Sequence, residues 1–116
     1  MDAHQVFSVL ANETRLRCLN LVLRYDEICV CELVDTLGIS QPTVSKALSA
    51  LKQAGILADR RDARWTYYRK NPAMPEWIGA IVSSTLRHLR HLEPYRGDSD
   101  RFVPQMAMGG GGKCAV

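Results

Sequence analysis

Leu33-Val34-Asp35-Thr36-Leu37-Gly38-Ile39-Ser40-Gln41-Pro42-Thr43-Val44-Ser45-Lys46 is the stretch on which the reading of this chain turns. A short apolar-periodic run stops at Gly38, a residue type that ends helices because it tolerates the left-handed backbone. Ser40 then stands at an N-cap position, with Pro42 in the first turn, where a missing N–H costs little. The layout predicts a helix-turn-helix: one helix roughly from Cys31 to Leu37, a glycine turn, and a second helix from Ser40 to Gly55. On a wheel of about 100° per residue, Ala47, Leu48 and Leu51 fall within about 60° of Val44 and form a core face. Pro42, Ser45, Lys46, Ser49 and Gln53 fall on the far side. That outer face is small, polar and free of acids, so it can enter a major groove without repelling phosphate. Gln41 and Thr43 lie in the first turn, where such helices touch base edges. Ser40, Gln41, Thr43, Ser45, Lys46 and Ser49 are therefore the expected contacts to double-stranded DNA. An ordinary surface helix of a small bundle is the plain alternative.

Working outward, the segment from Ile56 to Arg69 changes period and is rich in aromatic and β-branched residues. It predicts two strands joined near Asp62-Ala63. Arg60, Arg61, Arg64, Arg69 and Lys70 crowd this hairpin, opposed in that window only by Asp62. Such a basic strip fits phosphate contact, and Arg60, Arg61 and Arg64 join the expected DNA set. A solvated charged hairpin would carry the same residues. A two-residue turn favours Asp-Gly, because positive φ is needed; Ala63 suits it poorly, so a longer turn is expected. Upstream, Ala3 to Leu10 predicts a short amphipathic helix. Asn12 caps another, with Glu13 in its first turn and an apolar stripe of Leu16, Leu19 and Leu23. Tyr25-Asp26-Glu27 reads as a break. Downstream, Pro75 opens a helix to about Leu92, with Ile78, Ile81, Val82, Leu86 and Leu89 on its apolar side. The apolar stripes Val6, Phe7 and Leu10 with Ile78, Ile81 and Leu89 exceed what one small domain can bury, so a homodimer through the first and last helices is expected.

The chain is about one domain long, at 116 residues, and its net charge of +3 barely argues for nucleic acid by itself. Residues 1–93 are expected to form the folded unit. After Pro94 periodicity fades, and Gly109-Gly110-Gly111-Gly112 marks 94–116 as a flexible tail. No stretch approaches the roughly 20 apolar residues of a membrane span, and no secretory start is visible. A cytoplasmic location is expected, where thiols stay reduced. Its four cysteines, Cys18, Cys29, Cys31 and Cys114, then read as packing, metal-binding or redox groups before disulfides. There is no Cys-x-x-Cys beside a βαβ pattern, no Gly-rich phosphate loop and no nucleophile motif, so neither enzymatic activity nor a catalytic cofactor is expected.

Five phrases carry a family resemblance: Leu10 to Arg17, Cys29-Val30-Cys31-Glu32-Leu33, Ser40 to Lys46, Leu48 to Leu57 and Arg60 to Arg69. In unbroken order, from about Val6 to about Leu92, the chain resembles the arsenic-responsive branch of the ArsR/SmtB repressors. The resemblance implies a mainly α, homodimeric winged helix-turn-helix with a small β-hairpin. It also implies repression of a metalloid-resistance operon and release of the operator by an inducer. Arsenite-sensing members often carry Cys-Val-Cys and a third cysteine three residues on. Cys29 and Cys31 match the first two; the third position holds Val34.

As(III) and Sb(III) are soft and favour thiolates. The resemblance thus implies Cys29 and Cys31 as ligands, with Cys114 of the tail a candidate third; a monosubstituted organic arsenical needs only two. The pair sits at a helix start, where unpaired N–H groups and the dipole favour thiolate. On a regular helix the two sulfurs would point about 200° apart, so sharing an ion would require the first turn to distort. That distortion would move the helix that follows. Two small residues filling space is the plain alternative. Cys18 reads as a buried hydrophobe. His88 and His91 share a helix face, but no acid-x-His pair stands near that helix's start, as it does in zinc-sensing relatives. A zinc- or redox-responsive repressor of the same fold is the other reading.

Overall fold

A computed structural model describes residues 2–103; Cys114 and the glycine run lie outside them. The order of elements is α1 (Ala3–Leu10), α2 (Glu13–Arg24), β1 (Glu27–Cys29), α3 (Val30–Leu37), α4 (Gln41–Gln53), β2 (Leu57–Asp62), β3 (Trp65–Lys70), α5 (Glu76–Leu89) and α6 (Tyr95–Arg101). The expected helix-turn-helix and hairpin are both present. Asn12 caps α2 as expected, its Oδ1 accepting the Arg15 N–H at 2.9 Å. Gly38 ends α3 at φ +67°, its N–H donating to the Val34 carbonyl. Gly55 takes φ +82° after α4, and the Ile56 N–H reaches back to the Leu51 carbonyl at 3.0 Å. Both are positions where a Cβ would be strained.

One core joins these elements. Leu19, Leu21 and Val22 of α2 meet Ile28, Leu33, Val44, Leu48, Leu51, Leu57 and Ile78, all fully or nearly fully buried. Val44, Ala47, Leu48 and Leu51 are the buried face of α4, as the wheel predicts.

The structure corrects the sequence reading at four places. First, Tyr25-Asp26-Glu27 is more than a break. Asp26 adopts φ +67° and turns the chain from α2 into β1, a third strand. The sheet order is β1-β3-β2, antiparallel throughout, with Glu27 opposite Arg69, Ile28 opposite Tyr68 and Cys29 opposite Tyr67. A strand of three residues leaves too little alternation to detect. Second, the wing turn is not lengthened. Asp62 pairs with Trp65, leaving only Ala63-Arg64 at the tip, and Ala63 itself takes φ +55°. Cross-strand pairing holds a non-glycine residue in the left-handed region, at a cost of about 1–2 kcal/mol.

Third, order persists beyond Pro94. Tyr95, Asp98 and Phe102 are buried, and α6 packs on α2 and α3. The Asp98 carboxylate, with 0% exposure, accepts from Arg17 at 2.9 Å (Nε) and 2.8 Å (Nη2) and from Arg101 Nη2 at 2.6 Å. Tyr25 stacks obliquely on Phe102, ring centroids 4.5 Å apart. Fourth, part of the expected dimer stripe is spent inside the chain. Val6, Leu10 and Ile78 are buried in the single subunit, Ile81 and Leu89 are half-buried, and Phe7 (57%) and Trp77 (41%) are left exposed.

Candidate nucleic-acid interface and thiol site

The outer face of α4 is presented by the burial of its inner one. Ser40, Gln41, Thr43 and Lys46 are exposed, while Ser45 and Ser49 are half-buried beside them. Ser40 makes no side-chain cap to the backbone, contrary to the sequence reading; its hydroxyl bonds that of Thr43 at 2.9 Å. The first turn of α4 therefore keeps its backbone N–H groups open, a favourable place for an anion. On the wing, Arg60, Arg61 and Arg64 are all exposed but not equivalent. Arg60 is engaged: its guanidinium donates to Glu27 at 2.7 Å (Nη2) and 3.2 Å (Nε), and lies 4.6 Å from the Tyr67 ring centroid. Glu27 is an acid the sequence reading did not set against the basic strip, because only β1 brings it there. Arg61 and Arg64 form no acid pair among the described residues, and Arg64 lies 5.9 Å from the Trp65 ring centroid.

The two cysteines meet differently from expectation. Cys29 is not on the helix. It ends β1 and serves as the N-cap of α3, with extended backbone at φ −74°, ψ 144°. Its side chain therefore escapes the 200° rule of a regular helix. The Cys29 and Cys31 sulfurs lie 3.1 Å apart with the first turn of α3 intact. Glu32 closes a capping box, its carboxylate accepting the Cys29 N–H at 2.8 Å. Electrostatics run against the expectation of a ready thiolate. Burial pushes the Cys29 thiol above its ordinary range, and nearby Glu32 adds to this; N–H groups of Cys31 and Glu32 offset it only in part. Cys18 is fully buried, and burial pushes its thiol up to about 12. It is the packing residue the sequence indicates. His88 and His91 are both exposed on and just beyond α5. Among the described residues no three His, Cys, Asp or Glu side chains gather closely enough to hold a metal. No helix among them is long and apolar enough to cross a membrane.

The family model described as "bacterial regulatory protein, arsR family" matches residues 12–59, from the cap of α2 into the wing. The chain is 46% identical over 81 residues to the arsenic resistance transcriptional regulator ArsR1 of Pseudomonas putida, covering 70% of this chain but 63% of that one, just under two thirds. It is 40% identical over 83 residues to the arsenical resistance operon repressor of Escherichia coli, covering 72% of this chain and 71% of that one. Among solved structures it matches a homodimeric winged helix-turn-helix DNA-binding domain from Mycobacterium bovis, described as a possible ArsR-family regulator. The TM-score there is 0.62 at 30% identity, covering 78% of this chain and 81% of that one. These relatives are named as regulators, not enzymes. Shared sequence across α2, the cysteine corner, the helix-turn-helix and the wing, on a shared fold, makes this chain a member of the ArsR family of regulatory proteins.

Proposed function

We propose that the protein is a homodimeric repressor that binds operator DNA through α4 and the wing. It releases that DNA when As(III), Sb(III) or an organic arsenical is captured by Cys29 and Cys31. The observation that carries this is the 3.1 Å approach of the two sulfurs at the N-cap of α3, the first helix of the helix-turn-helix. With Cys29 and Cys31 both in the reduced state, capture is ligand exchange: arsenous acid and two thiols form two As–S bonds, two As–O bonds break, and two waters leave, with no change of oxidation state. A trivalent centre then keeps one oxygen, which Cys114 would replace as third ligand. Support for DNA comes from the acid-free face of Ser40, Gln41, Thr43, Ser45, Lys46 and Ser49 and from Arg60, Arg61 and Arg64. Support for arsenic comes from the two relatives' names. Support for a dimer comes from exposed Phe7 and Trp77 and from the homodimeric relative.

Capture ties the strand end and the helix start to one centre, so it biases the joint between sheet and helix-turn-helix. Moving a repressor from 99:1 bound to 1:99 requires a differential affinity of about 5.5 kcal/mol, which favours capture by two thiolates over capture by one. The test is fluorescence anisotropy of labelled operator titrated with arsenite. The Cys29→Ser/Cys31→Ser double variant should hold operator within about 1 kcal/mol of the parent and release none of it. Full release from that variant would refute the sensing site. Cys114→Ser should weaken the response to arsenite and spare that to a monosubstituted organic arsenical.

A further inference from the structure

The cysteines lie at the start of α3, which leads directly to α4, but the sheet offers a second route to DNA. In an antiparallel ladder, directly opposed residues project from the same face, and so do residues two apart on a strand. Cys29 of β1 is opposite Tyr67 of β3, and Tyr67 is opposite Arg60 of β2. The three therefore form one row across the sheet, from the thiol to a wing arginine. Glu27, two residues before Cys29, closes the row by its bidentate hold on Arg60. The Arg60 guanidinium lies over the Tyr67 ring, so it is fixed from β1 and from β3 at once.

We propose that Tyr67, with the Glu27–Arg60 ion pair, is a positioning element that carries inducer capture at Cys29 and Cys31 to the wing. This rests on the thiol-site reading given above. When Cys29 and Cys31 are tied to one centre, the end of β1 re-seats against Tyr67. Arg60 then loses its common seat on Tyr67 and Glu27, and the wing loses the geometry that sets Arg60, Arg61 and Arg64 toward phosphates. Release thus has two outputs from one capture, the helix-turn-helix and the wing.

Trp65 reports on this row, because it lies two residues before Tyr67 on β3 and on the same face. In a Trp77→Phe background it is the sole tryptophan of the chain. The experiment uses the full chain, kept reduced with a phosphine, with phenylarsine oxide as the probe. Three quantities are followed: thiols consumed, Trp65 emission without DNA, and release of labelled operator. In the parent background, capture should consume two thiols per chain and change Trp65 emission. Tyr67→Ala should still consume two thiols but lose the emission change. Its half-release concentration should rise at least about fivefold, the lower end of ordinary coupling. Tyr67→Phe, which keeps the ring, should restore both. Glu27→Gln, near-isosteric at a half-buried position, should raise the half-release concentration without altering thiol consumption. It replaces Tyr67→Ala as the deciding variant if circular dichroism shows that alanine disrupts the fold. Two thiols consumed with Trp65 silent in the parent overturns the wing route and leaves the thiol site standing. Equal release by the parent and the deciding variant overturns it as well. Operator release without thiol consumption overturns the thiol site, and the wing route with it.

Discussion

The outer face of α4 and the cysteine corner are both polar sites, yet they are built in opposite ways. α4 is one continuous helix, and its outer face is whatever the buried stripe Val44, Ala47, Leu48 and Leu51 leaves over. The cysteine corner is composed across a junction: Cys29 belongs to a strand end, Cys31 to the second helical position, and Tyr67 to a strand nearly forty residues on. A face on one helix is stiff and displays what it carries. A site at a joint responds when its parts are tied to one centre. The first suits recognition and the second suits switching.

The largest test of this contrast is to loosen the joint without touching either site. α6 braces the far end of α3, where Arg101 Nε faces the Thr36 carbonyl at 3.5 Å, and Asp98 holds Arg101 and Arg17 together. Asp98→Ala removes the buried acceptor of both guanidinium groups, and stability should fall by about 1.5–3 kcal/mol by urea denaturation. Loss below 1 kcal/mol would mean that α6 is not a structural brace.

A smaller effect separates thiol from metal chemistry. Burial raises the Cys29 thiol above its ordinary range, so that group stays protonated at neutral pH and the reactive thiolate is a minority. Below the raised value, each unit of pH lowers the thiolate fraction about tenfold, so stopped-flow capture of arsenite should slow by up to that factor. The equilibrium for arsenous acid should change little, because water leaves and no proton is released. A divalent metal would instead release protons and lose affinity as pH falls. Affinity that tracks pH as steeply as the rate would point away from arsenous acid.

The wing arginines sharpen the recognition half. Arg61→Ala should lower the slope of log affinity against log salt by about one unit. Arg60→Ala should lower it less, since Glu27 already neutralises part of that charge. Equal slopes for the two would mean that Arg60 leaves Glu27 when DNA binds. The smallest expected change is at the wing tip. Ala63→Gly relieves the left-handed backbone and should stabilise the fold by about 1 kcal/mol or less, because glycine also adds freedom to the unfolded chain.

Sequence alone determined the parts governed by one local period. The helix-turn-helix, its buried and open faces, the capped α2, the hairpin and the packing role of Cys18 all follow from apolar spacing within ten or so residues, and burial confirms that spacing. Tertiary structure decided whatever depends on two distant segments meeting. β1 is too short to show alternation and exists because β3 completes its hydrogen bonds. α6 carries almost no apolar repeat, and its anchor is an aspartate that reads as solvent-facing until Arg17 arrives from 81 residues away. Arg60 reads as a free cation until β1 delivers Glu27. The two sulfurs come within 3.1 Å only because the chain changes from strand to helix between them. Hydrophobic burial leaves a periodic trace along a sequence, because one face of one element must be apolar throughout. Polar pairing and strand-to-helix junctions leave none, because each needs a single residue at a single point in space.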